Sequence, residues 1–78
     1  IVAPSPKGWA TGAQLLAAMH AQFDRIGAPR DLVQILPSPV SKASTQALMQ
    51  CCDLVVATGS QNNVRSAYAS GTPAFGVG

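Results

Sequence analysis

Thr58-Gly59-Ser60 follows the apolar run of Asp53 to Ala57 and precedes a stretch with helical spacing. Small residues between a strand and a helix can present main-chain N–H groups to an anion. A helix starting at Ser60 directs its free N–H groups and the positive end of its dipole toward that corner. Gly59 allows close approach to the backbone, and the Ser60 hydroxyl offers one more hydrogen bond. A phosphate suits such a place. The same three residues can also do no more than cap a helix and turn the chain. Neither G-x-G-x-x-G nor G-x-x-x-x-G-K-[ST] occurs in the sequence. Read from the residues alone, the corner therefore supports a phosphate or nucleotide site and leaves the capping-only alternative open.

The other chemically capable residues are less suggestive. His20 is the only histidine and has no carboxylate or cysteine at partner spacing, which points to a surface or structural role. Cys51 and Cys52 are adjacent, outside any metal-ligand spacing, and in an apolar setting where cysteine behaves as a small hydrophobe. Asp24, Asp31 and Asp53 are too dispersed to form a carboxylate pair. Trp9 reads as a packing or interface residue. No catalytic residue and no metal site is expected.

The elements that must position the corner follow from periodicity and punctuation. Ile1 to Ala3 is a short apolar run. Ser5 reads as a helix cap with Pro6 in the first turn, where its missing N–H does no harm. Leu16, Met19, Phe23 and Ile26 then fall on one helical face, and Gly27 and Pro29 stop the helix. Leu32 to Leu36 reads as a strand and Pro37-Ser38-Pro39 as a turn. Ser41 caps a second helix with Ala43, Ala47, Leu48 and Cys51 inward. Asp53 to Ala57 is continuously apolar after its first residue, as in a strand covered on both faces. Ser60 caps a third helix with Val64, Ala67 and Tyr68 inward. Gly71-Thr72-Pro73 turns into a last strand, Ala74 to Val77.

This order is β-α-β-α-β-α-β. It predicts an α/β fold with a parallel, Rossmann-like sheet in three layers, truncated after its fourth strand. In such sheets ligands bind beyond the C-terminal strand ends. The turns there are Pro4 to Gly8, Pro37 to Ser41, Thr58 to Ser60 and Gly76 to Gly78.

Composition sets outer limits. The chain has 78 residues, 10% charged and 47% hydrophobic, with no glutamate and a formal charge of +2. An average soluble chain is about 25% charged. So uncharged a small chain is expected to be part of a larger protein that covers much of its surface. The five basic residues form no stripe, so no nucleic-acid partner is expected. No run approaches the ~20 apolar residues of a bilayer span, and no signal peptide is expected. Two free thiols in an apolar setting suggest a reducing, cytoplasmic location.

With the elements in order, a family resemblance emerges. "ATGSQNNVRSAYASGTPAFGVG" resembles the cofactor-domain segment of coenzyme-A-acylating aldehyde dehydrogenases, in which a strand leads into A-T-G-[GS] and then V-[RK]-x-A-Y-x-S-G-x-P-A-[IF]-G-V-G. "GAPRDLVQILPSPVSKASTQALMQCCDLVV" is similar to the preceding helix end, strand and "ALM" helix. "SPKG" falls at the first strand-to-helix turn. Together these cover nearly the whole chain, which the resemblance makes part of an NAD(P)-binding domain over residues 1–78.

The resemblance implies specific roles. Thr58, Gly59 and Ser60 match the turn against the dinucleotide pyrophosphate. Ser5 and Pro6 match the turn near the adenosine ribose, where hydrolytic relatives carry Lys-Pro. The adenine contact falls at Asn63 or Val64. Gly76, Val77 and Gly78 match the segment beside the nicotinamide, and Gly76 stands where hydrolytic relatives carry a water-activating glutamate. Without that base, water attack on the acyl-enzyme slows, and coenzyme A becomes the co-substrate that accepts the acyl group. The family's nucleophilic cysteine lies downstream and matches neither Cys51 nor Cys52, so the isolated segment is expected to be inactive. The implied cofactor is NAD or NADP. The implied partners are the dinucleotide and the remainder of the parent enzyme, with a homo-oligomer left open. The alternative reading is a non-catalytic α/β module for interaction or nucleotide binding.

Overall fold

A computed structural model describes residues 1–78 as two compact units, Ile1–Val40 and Ser41–Gly78. The chain is α/β with parallel strand pairing.

In the first unit, helix α1 spans Trp9–Ile26. Its apolar stripe buries Leu16, and Gly27, in the left-handed region at φ 74°, donates its N–H back to Phe23 O and ends the helix as expected. The start differs from the reading of Ser5 as the cap. Ser5 closes a tight turn instead, its carbonyl and its Oγ accepting from the Gly8 amide at 3.0 and 3.3 Å. Gly8 occupies the N-cap position without a side-chain cap. Pro6 therefore lies in that turn, ahead of the helix.

The expected strand Leu32 to Leu36 is also revised. Arg30–Leu32 winds into a 3-10 turn, and extended pairing is confined to an isolated parallel bridge between Val2 and Ile35. Val2 N donates to Gln34 O at 2.7 Å and Leu36 N to Val2 O at 2.8 Å. The physical reason lies in α1. Its His20 Nε2 sits 3.0 Å from Arg30 O and 2.9 Å from Val33 O, so the Nε2–H tautomer spans both carbonyls and holds the turn. His20 thus has the structural role its isolation suggested. Trp9 Nε1 donates to Leu36 O at 2.8 Å, tying the start of α1 to the end of the bridged segment.

Asp24 and Arg30 form an exposed bidentate pair at 2.6 and 3.1 Å. The Arg30 guanidinium, mainly through its hydrogen bonds, lowers the Asp24 carboxyl below its ordinary value of 3.8. A lowered folded-state value adds stability above pH 3.8 that is lost as the pH falls through the Asp24 titration. Asp24→Asn should lower stability slightly at neutral pH, where the exposed pair contributes, and leave it nearly unchanged below the Asp24 titration, so that the acid limb flattens, as read by thermal unfolding at a series of pH values.

In the second unit, α2 spans Lys42–Cys51. Ser41 caps it through a reciprocal pair: its Oγ accepts from Ser44 N at 3.0 Å while Ser44 Oγ accepts from Ser41 N at 3.1 Å. Ser41→Ala should cost roughly 0.5–2 kcal/mol of helix stability, visible as faster amide exchange in the first turn of α2. The face turned inward is rotated by about one position from the expected one. Ser44, Leu48, Met49 and Cys52 are half-buried, while Ala43, Ala47 and Cys51 are exposed. Cys52 Sγ donates to Leu48 O at 3.2 Å.

Strands β1, Val55–Thr58, and β2, Ala74–Val77, pair in parallel with Val55 opposite Ala74 and Thr58 opposite Val77. Parallel neighbours need a crossover, and α3, Gln61–Ala69, supplies it. Val55 and the fully buried Ala67 form the core between β1 and α3. Cover on both faces of β1 does not hold in this chain: Val56, Phe75 and Val77 point away from α3 with about two thirds of their surface exposed, at 66%, 64% and 64%. Tyr68, expected inward, is 57% exposed and lies along β2.

No helix is long and apolar enough to cross a membrane.

Candidate functional site

β1 ends at Thr58, and Gly59 reverses the chain with φ 118°, a region that disfavours side-chain-bearing residues. Gly59 N donates to Val77 O at 3.1 Å, so the corner is fastened to the end of β2. Ser60 follows as the N-cap of α3, with Oγ accepting from Asn63 N at 3.3 Å and Ser60 O accepting from Val64 N at 3.1 Å. The amides of Gln61 and Asn62, in the first turn, have no intrahelical acceptor. The Ser60 hydroxyl proton remains free to donate outward.

The second wall is the strand end. Gly76 faces α3, and its N–H donates to Tyr68 OH at 3.2 Å. Gly78 lies against the corner itself: a Cβ there would come within 2.8 Å of Gly59 O and 3.6 Å of Val64 Cγ2. An open groove of about 360 Å³ runs beside this contact, lined by Gln61, Val64, Arg65, Tyr68 and Gly78. Arg65 is the one cation in that lining and makes no ion pair.

Of the residues singled out from the sequence, Thr58, Gly59, Ser60, Val64, Gly76, Val77 and Gly78 come together at the C-terminal end of the β1–β2 pair. Asn63 joins them by its capped amide, and its Nδ2 lies 3.5 Å from where a Cβ on Gly59 would be. Ser5 and Pro6 belong to the first unit, in the turn before α1. Gln61, Arg65 and the Tyr68 hydroxyl were not anticipated as groove residues. Helical spacing i, i+4, i+7 from Gln61 would have placed them on one face. Cys51, exposed at the end of α2, and Cys52, half-buried after it, lie outside the groove lining. No group of three or more potential metal ligands is present.

Chemically, the corner and its groove offer main-chain donors, the hydroxyls of Thr58, Ser60 and Tyr68, one guanidinium and closely spaced glycines. They contain no carboxylate, imidazole or thiol. Such a set can hold an anion and a flat group, and it supplies no nucleophile or base.

No family model matches the chain. Among curated proteins, all 78 residues align with the sulfoacetaldehyde dehydrogenase (acylating) of Cupriavidus necator at 67% identity, covering 16% of that protein. They align with the succinate-semialdehyde dehydrogenase (acetylating) of Clostridium kluyveri at 42% identity, covering 17% of it. A sulfoacetaldehyde dehydrogenase (acylating) of Bilophila wadsworthia is 46% identical over the same 78 residues, again 17% of its length. The chain thus spans about one sixth of the length of the curated relatives it matches.

Proposed function

Because the chain belongs to the coenzyme-A-acylating aldehyde dehydrogenases, we propose that its residues 1–78 are part of the NAD(P)-binding domain of an enzyme converting a short aldehyde, NAD(P)+ and coenzyme A to acyl-coenzyme A and NAD(P)H. The observation that carries this is the corner Thr58 to Ser60 joined to Gly76–Gly78 at one strand end. The β1–β2 pair then belongs to a larger parallel sheet of Rossmann type. The bare apolar face of Val56, Phe75 and Val77 supports that reading, since such a face requires cover from the rest of the enzyme.

The residues present fit a dinucleotide. Free amides at Gln61 and Asn62, the Ser60 hydroxyl and the α3 dipole match a diphosphate bridge. Arg65 adds positive charge along the same groove. Val64 offers an apolar surface to a base. When bound, the nicotinamide supplies the hydride acceptor. The chain's own part is to bind and orient. Gly59 keeps the corner open, and Gly76 to Gly78 keep the strand end free of bulk. No side chain at position 76 can take a proton from water, which favours a thiol over water as acyl acceptor.

The test is NAD(P)H formation from a short aldehyde by the full-length enzyme that carries this segment. Turnover should require coenzyme A and yield its thioester. Full turnover without coenzyme A, with free acid as product, would refute the acylating reading.

A further inference from the structure

The end of β2 runs so close to α3 that position 76 has no room for a side chain. A Cβ built on Gly76 overlaps Val64 Cγ1, and the next nearest atoms are Tyr68 OH at 3.1 Å and Tyr68 Cε2 at 3.2 Å. These two neighbours differ in their freedom to move. Val64 is half-buried, and its amide makes the first hydrogen bond of α3, to Ser60 O. A β-branched side chain in a helix has essentially one χ1 rotamer, and the second Val64 methyl already faces Gly78. The valine therefore cannot swing aside. Tyr68 is largely exposed, and only the outer end of its ring approaches. It can withdraw at the cost of one exposed hydrogen bond to Gly76 N.

We propose that Val64 is the residue that confines position 76 to glycine, and that it thereby keeps every side chain, a carboxylate included, out of this end of β2. Glycine at 76 is then enforced from α3 rather than by backbone conformation, since Gly76 does not have a positive φ. The inference rests on the proposed dehydrogenase reading only for its consequence, the lack of a base beside the cofactor. The steric coupling stands on the contact itself. Val64 acts here as a positioning residue: its side chain decides what its neighbour across the α3–β2 contact can be.

The experiment is a set of variants in the full-length enzyme, read by Tm and by KM for the dinucleotide. Gly76→Ala should lower Tm by about 2–6 °C, as overpacking does, and raise KM. Val64→Ala/Gly76→Ala should recover at least half of both changes when compared with Val64→Ala alone. Tyr68→Phe/Gly76→Ala should recover neither, because the phenolic oxygen is not the main obstacle. Additive effects of Val64→Ala and Gly76→Ala, rescue by Tyr68→Phe, or a Gly76→Ala variant equal to wild type would overturn the proposal. A wild-type enzyme that ignores coenzyme A would instead remove the acylating reading, and the Tm comparison would still decide the coupling.

Discussion

Ser60→Asp in the full-length enzyme should weaken dinucleotide binding by about fivefold to several hundredfold without unfolding the domain. The two halves of that expectation have separate causes. Aspartate is as good an N-cap as serine, and a negative charge at a helix N-terminus is favourable. The Asn63 amide that Ser60 Oγ holds at 3.3 Å would keep an acceptor. Tm should therefore stay within about a degree or rise. The bound diphosphate meets a different situation. A carboxylate about 4 Å from a phosphate oxygen costs about 1 kcal/mol in water and about 4 kcal/mol at the effective dielectric of a protein surface. Each 1.4 kcal/mol is a factor of about ten in Kd. Ser60→Asn preserves the cap without the charge and should bind nearly as wild type. Calorimetric titration of the three proteins with NAD+ and NADP+ measures this directly. Equal Kd values for Ser60→Asp and wild type would show that the corner faces no phosphate.

Gly59→Val should be damaging in both folding and binding. At φ 118° a β-branched residue lies in a region that L-residues rarely adopt, and holding it there costs on the order of 1–3 kcal/mol. Sterics at the Cβ are not the cause: the nearest atom is Asn63 Nδ2 at 3.5 Å, ordinary contact. The backbone will instead relax, and relaxation pulls Gly59 N away from Val77 O, the bond that joins corner to strand end. Thermal unfolding should show the loss of stability. Dinucleotide titration below the new transition should show weaker binding as well. Gly59→Ala should fall between valine and wild type on both scales. A Gly59→Val enzyme with unchanged Tm would mean that the corner's conformation is not what the structure shows.

Local signals were legible in the sequence wherever one residue type had one job. Ser41 and Ser60 cap their helices, Gly27 ends α1, and the small residues of Thr58 to Ser60 turn β1 into α3. Each rests on hydrogen bonds that its own neighbours supply, so nearby sequence is sufficient to recognise it. Ser5 misled because its oxygens found the Gly8 amide one turn before the helix proper, making a tight turn with the same cap-like residue. Leu32 to Leu36 misled because strand propensity is a local tendency and the His20 ring, ten and thirteen residues away in sequence, holds the carbonyls of Arg30 and Val33. In α2 the inward face is rotated by about one position from the expected one, since Ala43 and Ala47, on which the expected face rested, bury too little surface to fix the orientation of a helix. The groove was half legible: its main-chain corner follows from the small residues. The packing of Val64 on Gly76 is a contact between two elements, and no spacing along the chain announces it. The family-like ending Tyr68 to Gly78 pointed to the right relatives.

The most direct measurement is a crystal structure of the full-length enzyme carrying this segment with NAD+ or NADP+ bound. The diphosphate oxygens should lie within hydrogen-bond distance of main-chain amides in the Ser60–Asn62 turn, with the nicotinamide beside Gly76 to Gly78. A dinucleotide bound elsewhere, with those amides facing protein or water alone, would contradict the account.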